Sequence, residues 1–176
     1  MDYIYKVSLL GDEFTGKTSL LIRFIKDEFS SRYKATLGAD FLEKKFTTND
    51  ISDLKETDEI KMTIWDMAGQ EAFKAMASIY LEGSLGLILV FDLNDPKTFE
   101  SLDDWLKTSK EICENPEIIV VGNKNDLEQK VSDEDIKEFE QRHNIPIILT
   151  SAKEDINVND VFKTIAKRIY QKNSKK

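Results

Sequence analysis

The chain has 176 residues, 40% of them hydrophobic, which suits one folded domain of ordinary size and excludes a disordered chain. Its 25 basic and 33 acidic side chains leave a net charge of −8, against a protein that grips nucleic acid through the phosphate backbone. One cysteine excludes an internal disulfide framework and fits a reducing, cytoplasmic setting, and no apolar run is long enough to span a bilayer.

In chain order, YIYKVSLL reads as a strand that runs into a glycine loop, Gly11-x4-Gly16-Lys17-Thr18. After the loop, Leu20, Leu21, Phe24 and Ile25 recur at helical spacing. DFLEKKF and IKMTIWD read as two further strands joined by the polar linker TTNDISDLKETDE, a hairpin with a long acidic tip. LGLILVFDL, apolar on both faces, reads as a central strand. Asp95-Pro96 then supplies an N-cap and first-turn proline for a helix with a buried stripe of Phe99, Leu102, Leu106 and Cys113. EIIVVGN is a fifth strand, SDEDIKEFEQRH a charged helix, IPIILTSA a sixth strand and NVNDVFKTIAKRIYQK a closing helix. The alternation predicts an α/β domain over residues 1–176, with a six-stranded, mostly parallel sheet and helices on both faces.

In such a sheet, ligands bind beyond the carboxyl ends of the strands. Four polar clusters fall there: the glycine loop, DMAGQ, NKND and TSAK. In the first, Gly16 allows close backbone approach, Lys17 can reach β- and γ-phosphates, and Thr18 offers a hydroxyl to Mg²⁺. Asp66 can hold a Mg²⁺-bound water, Gly69 can bring its N–H to a terminal phosphate, and Gln70 can orient an attacking water. Asp126 can accept from the ring N–H and exocyclic amine of guanine, donors that adenine does not present together. The mismatch is worth up to about 10⁴-fold. Asn123 braces this loop, Lys124 lies along the ring plane, and the Ala152 N–H can meet the guanine carbonyl.

The motifs GDxxxGKTSL, YKATLGADF, WDMAGQEAF, GNKND and LTSAK stand in order along the chain, which resembles a Ras-superfamily small GTPase, most of all the Rab branch. Two stretches, RYKATLGADF and NIPIILTSAKEDINV, look closest to Rabs of the late endosome and lysosome. The resemblance implies the three-layer P-loop NTPase fold with one antiparallel edge strand, and GTP, GDP and Mg²⁺ as ligands. By position, Thr36 would join Thr18 and Asp66 at Mg²⁺, and Phe29 would pack against the base. Further nucleotide contacts are implied for Glu13, Phe14, Thr15, Ser19 and Tyr33, and for Leu127, Ser151 and Lys153. Leu37–Phe41 and Trp65–Tyr80 would be read by an exchange factor, a GTPase-activating protein and effectors; Trp65, Phe73 and Tyr80 read either as plain packing or, as the resemblance implies, as an exposed aromatic triad. The implied molecule is a monomer, cytoplasmic and at most peripheral on endomembranes.

Departures from the pattern bear on the chemistry. Glu13 and Phe14 stand where Rabs carry small residues, Met67 replaces a threonine, and the hairpin linker is several residues longer. RIYQKNSKK contains no cysteine to prenylate. From Val161 onward there are six basic residues and no acidic ones, as suits either a solvated helix end or an anionic surface. His143 reads as a surface or capping residue and Cys113 as a small core hydrophobe. A carboxylate about 6 Å from a phosphate charge costs roughly 3 kcal/mol at a dielectric of about 20 if uncompensated. Two functions are therefore expected as alternatives. Gln70 favours a switch that hydrolyses GTP slowly, and Glu13 favours a module that holds GTP without useful turnover.

Overall fold

A computed structural model describes residues 2–27, 39–56, 58–68 and 77–174. Six strands form one sheet: β1 (Asp2–Leu10), β2 (Ala39–Phe46), β3 (Glu59–Met67), β4 (Gly86–Asp92), β5 (Glu117–Asn123) and β6 (Ile147–Leu149). Their order is β2-β3-β1-β4-β5-β6, antiparallel between β2 and β3 and parallel elsewhere. The helices are α1 (Lys17–Lys26), α2 (Ala77–Leu81), α3 (Pro96–Glu100), α4 (Leu102–Ile112), α5 (Asp133–His143) and α6 (Val158–Asn173).

Side-chain alternation along the strands builds two cores. Tyr5, Val7 and Leu9 of β1, Ile60, Met62 and Ile64 of β3, and Ile88 and Val90 of β4 face α1 and α6. Leu87, Leu89 and Phe91 of β4 face the other way, onto Leu102, Trp105 and Leu106 of α4 and Ile136 and Phe139 of α5. Every residue of β4 is buried, as expected for a strand covered on both faces. The β2–β3 end departs from two-sided cover among the described residues. Its second face carries cross-strand ion pairs, Lys61 to Glu43 at 3.1 Å and Lys45 to Glu59 at 3.0 Å, with Phe41 exposed beside them.

Several element boundaries differ from the sequence reading. The helix expected after Asp95-Pro96 is divided into α3 and α4 at Ser101, with the Asp95 carboxylate capping the Lys97 N–H at 3.2 Å and Cys113 beyond the last turn. The sixth strand is three residues long, because Ser151 leaves it to pair with Ile156. The short α2 lies where no helix was expected.

The hairpin linker does not project as an acidic tip. Ile51 and Leu54 are 4% and 5% exposed and join the core under α6. Its polar groups follow: Asp53 meets Lys167 at 3.0 Å and Gln171 at 2.8 Å, while the Tyr170 hydroxyl donates to Asp58 at 2.7 Å. That bond holds the Asp58 carboxyl below its ordinary range. Much of the basic charge on α6 is thereby paired, since Arg168 and Lys172 also reach Glu117 at 2.9 and 3.1 Å. His143 bridges helices, its Nε2 lying 2.7 Å from Asp103 of α4.

Candidate functional site

The carboxyl ends of β1, β3, β5 and β6 bring the first, third and last polar clusters, together with Asp66, Met67 and Ala68 of the second, to one edge of the sheet. Two glycines shape the first loop. A Cβ on Gly11 would lie 2.1 Å from the Val90 carbonyl oxygen, and one on Gly16 would lie 2.3 Å from Asn123 Nδ2. Gly16, at φ +90°, also caps α1, so the N-terminus of that helix opens onto the loop. Between them Thr15 is fully buried, its hydroxyl donating to the Asp12 carbonyl at 3.0 Å. Glu13 is half-buried, and Phe14 is exposed and left-handed at φ +64°.

Lys17 is 6% exposed and donates to the carbonyls of Gly11 at 2.9 Å and Asp12 at 2.7 Å. Burial pushes its ammonium down to about 8, while the carboxylates of Asp66, Asp12 and Glu13 pull it upward. Two neutral carbonyls do not offset the loss of water around a charge, so the site favours an incoming anion. Thr18 Oγ1 donates to Asp66 Oδ2 at 2.5 Å, joining α1 to the end of β3. Ser19 follows, half-buried in the first turn of α1.

A hydroxyl and a buried carboxylate are hard oxygen donors. Among the described residues no three His, Cys, Asp or Glu side chains cluster as a metal cage. That donor set fits Mg²⁺, which keeps several waters and shares its remaining positions with substrate phosphates. Thr18 and Asp66 are the residues that could hold it.

The opposite side of the edge is organised by Asn123, 1% exposed at the end of β5. Its Nδ2 donates to the Thr15 carbonyl at 2.9 Å, and its Oδ1 accepts from Thr150 Oγ1 at 3.1 Å and from the Ala152 N–H at 3.2 Å. The Ala152 N–H, expected to face a base, is thus engaged within the protein here. Asp126 accepts from Ser151 Oγ at 2.6 Å, with Lys153 Nζ at 3.8 Å, so its carboxylate is aimed by the TSAK loop. Leu127 stays 48% exposed after a turn closed by its N–H to the Lys124 carbonyl. Lys124, expected along the ring plane, has its ammonium 2.6 Å from Asp92.

Three supporting residues escaped the sequence reading. Asp92 is the last residue of β4, as Asp66 is the last but one of β3, and its strand-end position could have marked it. Arg23 donates to the carbonyls of Ala152 at 2.9 Å and Lys153 at 3.0 Å, bracing the last loop from α1. Trp105 Nε1 donates to Asp12 Oδ1 at 2.8 Å. The latter two join segments about a hundred residues or more apart and leave no local signal.

Phe29, Tyr33, Thr36, Gly69, Gln70 and Phe73 lie outside the described residues, as do Leu37 and Gly38. Of the expected aromatic triad, Trp65 and Tyr80 stand 6.3 Å apart between ring centroids. Phe41, not included in that expectation, stacks on Trp65 at 5.2 Å, and Lys6 Nζ lies 4.9 Å from the same indole centre.

The Ras family pattern matches residues 6–171. The Ras-related protein Rab-13 of Rattus norvegicus is 40% identical over 174 residues, covering 97% of this chain and 82% of that protein. SEC4 of Saccharomyces cerevisiae is 40% identical over 173 residues, 97% of this chain and 77% of its own length. Rab-11A of Dictyostelium discoideum is 39% identical over 172 residues, 96% and 77% respectively.

Proposed function

The chain belongs to the Ras family, in its Rab branch of small GTPases, and from that premise we propose that it is a guanine-nucleotide switch of intracellular vesicle traffic. As a single G domain it binds GTP or GDP with Mg²⁺ and hydrolyses GTP slowly. The observation that carries this reading is the Asn123 carboxamide, which ties the phosphate loop through Thr15 and the base loop through Ala152 into one bipartite site.

In this reading Lys17 and the amides of the Glu13–Ser19 stretch hold the phosphates. Thr18, Thr36 and Asp66 would hold Mg²⁺, which when bound would supply positive charge against the phosphates. Asp126 selects guanine, with Ser151 fixing its orientation. Lys124, Leu127, Ala152 and Lys153 complete the base side, and Phe29 and Tyr33 cover it. Gly69 and Thr36 sense the terminal phosphate, and Gln70 orients the attacking water.

An exchange factor, an activating protein and effectors engage Leu37–Phe41 and Trp65–Tyr80, where Phe41, Trp65 and Tyr80 form the apolar part of the surface. The protein works as a monomer in the cytoplasm and peripherally at endomembranes. No helix among the described residues is long and apolar enough to cross a membrane.

Glu13, half-buried in the phosphate loop, favours a second reading: a module that holds GTP with little turnover. In that reading its bulk and charge would stand on the side where the terminal phosphate, Gln70 and a partner's arginine are to meet. Such an arginine is worth about 10³ to 10⁵ in rate, so even partial exclusion prolongs the active state.

Single-turnover GTP hydrolysis by the unmodified chain, Glu13→Ser and Gln70→Leu tests both readings. The switch reading expects slow hydrolysis, faster in Glu13→Ser and nearly abolished in Gln70→Leu. Equal rates in the unmodified chain and Gln70→Leu would leave only the holding module. A rate in Glu13→Ser that drops to that of Gln70→Leu would instead make the carboxylate a participant.

A further inference from the structure

Asp12 presents a problem for a loop that receives an anion. Its carboxylate belongs to the phosphate loop, and its backbone carbonyl already accepts from Lys17 Nζ at 2.7 Å. The side chain of that same residue, once released to another rotamer, would bring its carboxylate toward the same ammonium. At 6% exposure and held, among the described residues, only by the carbonyls of Gly11 and Asp12, that ammonium would gain from pairing with a carboxylate brought into reach. A Lys17–Asp12 ion pair would then compete directly with phosphate.

What holds the carboxylate away is Trp105. The indole Nε1–H donates to Asp12 Oδ1 at 2.8 Å from α4. The ring is 2% exposed and packed with Leu10, Leu102 and Leu106, so it is a fixed point relative to the loop. A buried indole needs an acceptor for its N–H, but a neutral carbonyl would serve that need equally. Here the acceptor is a charged group one residue after Gly11, and a hydrogen bond to a carboxylate is among the stronger kinds.

We propose that Trp105 is a positioning residue for nucleotide binding: it sequesters the Asp12 carboxylate and thereby leaves Lys17 available to the phosphates of a bound nucleoside diphosphate. Trp105 touches no ligand in this account and acts only through Asp12. The inference rests on the guanine-nucleotide reading above.

The test is the dissociation rate of fluorescently labelled GDP, with Mg²⁺, from the unmodified chain, Trp105→Phe and the double variant Trp105→Phe/Asp12→Asn. Trp105→Phe keeps most of the ring volume and removes the donor, and release should accelerate about tenfold. Adding Asp12→Asn removes the charge that captures Lys17, and release should return to within about twofold of the unmodified rate. A packing defect would not be repaired by that second substitution. Unchanged release from Trp105→Phe, or no rescue in the double variant, overturns the proposal. If Trp105→Phe does not fold, nitrogen-15 NMR decides the matter on chains that keep the indole. The Trp105 N–H resonance should move upfield in Asp12→Ala, and an unmoved resonance overturns the proposal. Failure of the unmodified chain to bind labelled GDP would overturn the nucleotide reading and this inference with it.

Discussion

Asn123 and Thr15, 108 residues apart in sequence, are joined by a hydrogen bond of 2.9 Å from the carboxamide nitrogen to the backbone carbonyl. Through the other end of the same side chain the bond network continues to Thr150 and Ala152. Removing it strands three buried partners on two segments, the phosphate loop and the TSAK loop. Asn123→Ala is expected to lose about 3 kcal/mol of unfolding free energy, measured by denaturant titration without nucleotide. A loss below about 1 kcal/mol would mean that water replaces the carboxamide and that it is not the hub described here.

Phe14 sits at φ +64°, where an L side chain is strained and glycine is not. Its ring is 59% exposed, so the contacts it makes leave most of it in solvent. Phe14→Gly is therefore expected to stabilise the nucleotide-free protein by about 1 kcal/mol, read as a higher unfolding temperature. A lower unfolding temperature would show that the ring's contacts outweigh the backbone term.

Lys17 gives a pH dependence with a definite sign. Burial lowers its folded value to about 8 from an ordinary 10.5. Between those values the unfolded chain binds more protons than the folded one, so this group favours folding increasingly as pH rises from about 8 to 10.5. Below about 8 the cost of burying the charge is fully present. A bound polyphosphate raises the folded value again, so nucleotide binding at pH 9 should take up a fraction of a proton approaching one. Calorimetry in two buffers of different ionisation heat measures it, and zero uptake at pH 9 contradicts the assignment of Lys17 to the phosphates.

The linker between β2 and β3 is part of the core rather than a free tip. Leu54, 5% exposed under α6, should cost about 2 to 4 kcal/mol when cut to alanine. A projecting acidic tip would instead give a change within about 0.5 kcal/mol.

The linker also shows where sequence reading stops. Strands such as Ile60, Met62 and Ile64 announce themselves by alternation, and the four polar clusters by their place at strand ends. Ile51 and Leu54 are two apolar residues in a polar stretch, and their spacing of three gave no hint that α6 lay above them. Nor could local pattern show that Lys124 pairs with Asp92, or that Trp105 reaches Asp12, because both contacts are made by folding. The division of α3 from α4 at Ser101 likewise follows from capping competition at one residue, which periodicity does not resolve.

The central claim is that this edge of the sheet selects a guanine nucleotide, and calorimetric titration of the Mg²⁺-loaded protein with GTP, GDP and ATP tests it most directly. With Asp126 aimed by Ser151 at 2.6 Å, GTP and GDP should bind tightly, ATP weaker by up to about 10⁴-fold, and Asp126→Asn should shift preference toward xanthine nucleotides. Comparable affinity of the unmodified chain for ATP and GTP would contradict the account.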